Sequence, residues 1–290
     1  MTWLTDPIGW WIDPFVDNAF MREALLATVL AVACTSVIGT WVVLRGLAFL
    51  GDALAHGVLP GIAIAWVIGI DTSIGAIIAA LAMVGGVAVI KQGSPLPDDV
   101  SIGVLFVGFL ALAVVIMSAG AATGDLTRFL FGSINAVDGT DLARLGIVTA
   151  VVLTAVAIGH RALLVSTFDP LQARLGGLHP RATHLLLLAL VALAIVASFE
   201  TVGSLLVFAF LIAPPATASL LARRVVSIMA LAVLLGCGAS LVGLLVSYHH
   251  RAAAGGSMAL ANVVVFMVAL IARRFVGATS EQAGLGHQAG

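Results

Sequence analysis

The feature that most restricts this chain is a succession of about nine apolar stretches, each near the length of roughly 17–25 residues that carries a helix across a bilayer. They fall at about 20–44, 46–68, 72–90, 100–118, 142–159, 181–198, 203–222, 225–247 and 257–274. In lipid every backbone N–H and C=O must be satisfied within the protein, so runs of this length are read as helices. Only 9% of the 290 residues are charged and 61% are hydrophobic, where a soluble domain has roughly 25% charged. The expected fold class is therefore an all-α polytopic membrane protein with about eight or nine transmembrane helices. The run from Leu185 to Leu221 is too long for one span and is expected to turn within Ser198–Gly203.

The flanks follow from composition. Asp6, Asp13 and Asp17 precede the first basic residue, Arg22, which is not the pattern of a signal peptide. Trp3, Trp10, Trp11 and Phe15 make residues 1–19 an interfacial segment. Residues 20–275 form the transmembrane domain, and the Gly-, Ala-, Gln- and Ser-rich tail at 276–290 is expected to be disordered. Placing the 160–180 connection in the cytoplasm puts Arg45, Lys91, Arg161, Arg174, Arg181, Arg223, Arg224, Arg273 and Arg274 inside. Arg22, Arg128, Arg144 and Arg251 are left outside, so the N-terminus is external and the C-terminus cytoplasmic. No basic run suggests nucleic acid, and Cys34 and Cys237 sit in apolar stretches as small hydrophobes.

Polar residues inside apolar stretches are the candidates for function. Asp52 and His56 stand four apart and share one helix face. Pro60 has no N–H to give the His56 carbonyl. Carboxylate, imidazole and loosened carbonyl are donors a divalent cation can use; a bracing ion pair is the other reading. Glu200, near an outer span end, either collects entering cations or faces water. His249 and His250 lie in the last outer connection and are candidates for outer metal capture, or are simply solvated. Pro214 and Pro215 release the carbonyls of Phe210 and Leu211, so a break is expected there. That break would line the pathway or act as a hinge, or be only an architectural kink.

On the cytoplasmic side, Asp169 can cap a short helix at about 168–178, with Pro170 in its first turn, Gln172 and Arg174 within it, and Gly176–Gly177 ending it. Such a helix either docks on a partner or merely connects two spans. No Gly-x-x-x-x-Gly-Lys-Ser/Thr loop is present to grip ATP. Neither a His-Glu-x-x-His nor a Gly-x-Ser-x-Gly motif occurs, so no catalytic residue is expected.

The stretches 39–61 (Gly-Thr-Trp-Val-Val-Leu-Arg-Gly through Asp52, His56, Pro60 and Gly61) and 201–218 (through Pro214 and Pro215) closely resemble the signatures of permease subunits of zinc/manganese-type ATP-binding-cassette importers. Asp98–Phe106 and Phe129–Gly132 match the same pattern in the same order, and the zinc-type members look nearest. The resemblance covers about 22–275 and implies a type II importer-like permease in a prokaryotic plasma membrane. It implies a second copy of the chain, cytoplasmic ATPase subunits and an extracytoplasmic solute-binding protein as partners. Asp52 and His56 would face the translocation path, and Asp169 to Gly177 would be the coupling helix in the ATPase cleft. No cofactor is expected to stay bound; the cargo would be Zn2+ first and Mn2+ next.

In that scheme the metal is met by Glu200, with His249 or His250, and passes to Asp52 and His56. Asp52 lies about 16 residues from the outer end of its span, roughly 24 Å, so these are two levels of one route. Few ligands suit a path, because a complete cage would hold the ion. The competing expectation is a self-contained, proton-coupled secondary transporter using Asp52 and Glu200.

Overall fold

The computed structural model describes residues 7–93, 97–119 and 137–286; some side chains within these limits, those of Asp98 and Glu200 among them, lie outside the description. The Phe129–Gly132 motif also lies outside the described residues. The helices are α1 (Pro7–Asp17), α2 (Ala19–Leu44), α3 (Ala48–Gly57), α4 (Leu59–Ile68), α5 (Thr72–Gly93), α6 (Asp98–Ala119), α7 (Gly139–Phe168), α8 (Pro170–Leu175), α9 (Pro180–Val202), α10 (Ser204–Leu221), α11 (Val225–His250) and α12 (Ala254–Gly286). Among the described residues nine segments are long and apolar enough to cross a membrane, α3 and α4 together making one of them.

The boundaries follow local chemistry. α7 starts on a capping box, in which the Asp138 carboxylate accepts from the Thr140 and Asp141 amides. It runs to Phe168, beyond the apolar run that ends near 159, because a helix need not stop where lipid does. The turn between α9 and α10 is made by Gly203, whose φ of 84° a side chain would disfavour. α3 and α4 part at Val58, and Pro60 falls in the first turn of α4, where its missing N–H costs that helix no bond. α12 continues to Gly286, past the end of its apolar pattern and through part of the tail.

α2 is the helix the others surround: Ala24, Ala31, Ile38 and Trp41 are fully buried, and it packs on α7, α9, α10 and α11. The contact with α10 corrects one expectation. α10 carries Pro214 and Pro215 and yet runs unbroken from Ser204 to Leu221. Pro214 cannot close on the Phe210 carbonyl, and that oxygen instead accepts a hydrogen bond of 3.1 Å from the Ser36 hydroxyl of α2. The Leu211 carbonyl, which Pro215 releases, lies where a Cβ on Gly39 would be. Glycine at 39 is therefore what lets the α10 backbone reach α2. The same device joins α4 to α5, where a Cβ on Gly61 or Gly75 would strike the other's carbonyl.

Gly39→Val is expected to cost at least about 1–3 kcal/mol through backbone overlap, read as a lower unfolding midpoint or loss of monodisperse protein in detergent. Gly85→Val, where a Cβ meets nothing within 4 Å, should change stability by no more than about 0.5 kcal/mol. Equal behaviour of the two variants would remove the close-approach account.

Candidate functional site

α3 is sunk into the bundle by its small residues. The Leu211 side chain fills the space a Cβ on Gly51 would need, and the Met83 sulfur does so at Gly57. Leu50, Ala53, Leu54 and Val58 are fully buried. The remaining face, formed by Phe49, Asp52 and His56 at helical spacing, opens outward. The side chains of Asp52 and His56 keep 35% and 29% exposure.

The pair meets as the i,i+4 spacing requires. His56 Nδ1 lies 3.4 Å from Asp52 Oδ1 and 3.1 Å from the Asp52 carbonyl oxygen. An imidazole donating its Nδ1–H to these oxygens presents the Nε2 lone pair outward, the tautomer a metal-bound histidine needs. Phe106 stands edge-on to the His56 ring, centroids 6.1 Å apart, and packs on Phe49 at 5.8 Å. Phe106 closes the Asp98–Phe106 motif, a stretch to which the sequence assigns no role in the site. Among the described residues no three His, Cys, Asp or Glu side chains converge closely enough to hold a metal. One chain thus offers two side-chain donors here.

The other candidates fall elsewhere. Glu200 belongs to the last turn of α9, and its side chain lies outside the described residues. His249 donates from Nδ1 to the Leu245 carbonyl at 2.9 Å and stacks on Trp10 of α1, centroids 4.4 Å apart. His250 is exposed beside it. α1 is thereby held against the end of α11, a position strengthened by the bond from Asn18 Nδ2 to the Tyr248 hydroxyl at 3.1 Å. Because the spans alternate in direction, His249, His250 and Glu200 share the end of the bundle opposite Arg45, with Asp52 near the Arg45 end. Pro214 and Pro215 are buried, and Pro214 packs beside Gly236 of α11.

At the Arg45 end, α8 forms as its residues demand. Asp169 Oδ1 accepts from the Gln172 amide at 2.8 Å, Pro170 occupies the first turn, and Gly176 closes the helix. Ala173 is buried while Leu171 and Leu175 are 68% and 82% exposed, an apolar face that no other described residue covers. Arg45 ties this region together: Nε donates to Thr167 Oγ1 at 2.9 Å and Nη1 to His184 Nδ1 at 3.4 Å. Burial draws its guanidinium below the usual arginine pKa.

Asp169→Ala should uncap α8 at a cost of about 1 kcal/mol, seen as faster proteolytic cleavage within 168–178 of the purified chain. Asp169→Asn, which keeps an acceptor, should be cleaved as slowly as the natural sequence. Identical cleavage of all three would mean the cap does not hold this helix.

The sequence profile of the ABC 3 transport family matches residues 17–273. The manganese transport system membrane protein MntC of Listeria innocua is 35% identical over 260 residues, covering 90% of this chain and 93% of that protein. A probable iron transport system membrane protein of Haemophilus influenzae is 33% identical over 261 residues, covering 90% of this chain and 96% of its own. The structure of PsaBC from Streptococcus pneumoniae in complex with a Fab superposes with a TM-score of 0.81 at 34% identity, covering 90% of this chain and 95% of that one.

Proposed function

The chain belongs to the ABC 3 transport family, and from that premise we propose that it is the membrane permease of an importer for divalent manganese, with Asp52 and His56 of two copies lining the path. The observation that carries this is the outward-facing Asp52–His56 pair on α3. A carboxylate turned toward hydrocarbon costs up to roughly 2.5–3.5 kcal/mol. A second copy across a two-fold axis covers that face and adds a second carboxylate and imidazole. An ion held in this way has half its protein donors on each protomer. Parting the protomers at one end halves its coordination and lets it go.

The cargo follows from the donors and the relatives. Imidazole alone suits zinc, whereas carboxylate oxygens suit manganese, and no thiolate stands at this site. The sequence ranked zinc first; the relatives named for manganese and iron favour the reverse order. ATP is hydrolysed by a separate cytoplasmic subunit, and the capped α8 with its bare Leu171 and Leu175 is the piece that docks on it, through Asp169, Pro170, Gln172, Arg174 and Gly176. The metal arrives from an extracytoplasmic binding protein at the end that holds Glu200, His249 and His250, with the N-terminus on that side.

In cells whose manganese uptake depends on this permease, Asp52→Ala and His56→Ala should each lower radiolabelled manganese uptake at least about tenfold at unchanged membrane abundance. Uptake at the natural rate in the double variant would sink the pathway assignment. Growth restored by zinc rather than manganese would keep the path and overturn the cargo.

A further inference from the structure

At the Arg45 end of the bundle a cavity of about 620 Å3 opens between α5, α7, α8 and α9. Arg45, Arg174, Arg181 and His184 all line it, together with Ser166 and Leu185. Among the described residues no carboxylate pairs with any of the three arginines. Asp169, the acid nearest in sequence to Arg174 and Arg181, is occupied in capping α8. Arg45 Nη2 is enclosed without a hydrogen-bond partner, and so is the hydroxyl of the buried Ser166. An enclosed guanidinium with no carboxylate paired to it carries a desolvation cost that a negative charge in the adjoining cavity would offset.

We propose that this cavity holds the phosphate headgroup of an anionic phospholipid from the leaflet at the Arg45 end. Guanidinium groups match phosphate oxygens in geometry as well as charge. The rim of the cavity is apolar. Leu185 and Leu186 are 39% and 43% exposed, and Val89, next to the lining residue Ala88, is 70% exposed. These apolar side chains give acyl chains a surface that free phosphate would leave unused. Basic cavities between transmembrane helices on the cytoplasmic side suit such headgroups, and the proposed orientation puts this end in the cytoplasm. The ligand would bridge Arg45, at the entry to α3, to Arg174 of α8, and so join the helix that bears Asp52 to the one that meets the ATPase. The inference rests on the membrane-spanning fold and the proposed orientation and is independent of the metal carried.

The test uses the full chain, purified in mild detergent, stripped of lipid, and offered phosphatidylglycerol, phosphatidylcholine or inorganic phosphate before native mass spectrometry. Phosphatidylglycerol should be retained and phosphatidylcholine not. Arg181→Gln, at an exposed position, should weaken retention about five-fold, and its combination with Arg174→Gln about twenty-five-fold, both at unchanged elution and helical content. Arg181→Lys should restore most of the loss. Equal retention of the two lipids, or unchanged retention in the folded double variant, would overturn the site. Displacement of phosphatidylglycerol by equimolar inorganic phosphate would assign it to a free anion and overturn the lipid. Loss of a co-purifying ATPase from Arg181→Gln, with lipid retention intact, would give the arginines to a partner's carboxylate and also overturn it.

Discussion

The α2–α10 contact determines where much of the rest of this protein can stand. Lipid provides no hydrophobic force between helices, so association depends on close backbone approach and on polar groups that find each other. Both act here within one turn of α2. Gly39 admits the Leu211 carbonyl, and the Ser36 hydroxyl takes the Phe210 carbonyl that Pro214 leaves open. The side chain of the same Leu211 then fills the space beside Gly51. The position of α3, and with it the outward direction of Asp52 and His56, is inherited from a contact made by residues with no charge at all.

That chain of dependence explains why function and packing are hard to separate along this sequence. Gly51 and Gly57 flank the polar pair, and each gives way to a neighbouring side chain from α10 or α5. Larger residues at either place would rotate or lift α3 and turn the carboxylate and imidazole away from their common face. The glycines are therefore positioning residues for the pair, although they touch no ion.

Much of the fold was legible in the sequence because membrane helices answer to one strong constraint. The length of an uninterrupted apolar run is physically required, so all the expected spans recur, including the division of the long run at Gly203. The proline pair misled because the missing N–H is a local fact, while its repair by Ser36 is a tertiary one. For the site, the i,i+4 spacing revealed the Asp52–His56 pairing, and the Asp169-Pro170 signal revealed α8. Phe106 against His56, Trp10 on His249 and Arg45 between Thr167 and His184 are contacts between distant stretches, for which no local pattern exists.

We propose that a single chain holds half of a shared metal station. It is tested most directly by titrating the purified, assembled permease with Mn2+ and following the free ion by electron paramagnetic resonance. One tightly bound ion is expected for every two copies of this chain, lost when Asp52 is replaced by Ala. One ion per chain, or binding that survives that replacement, would contradict it.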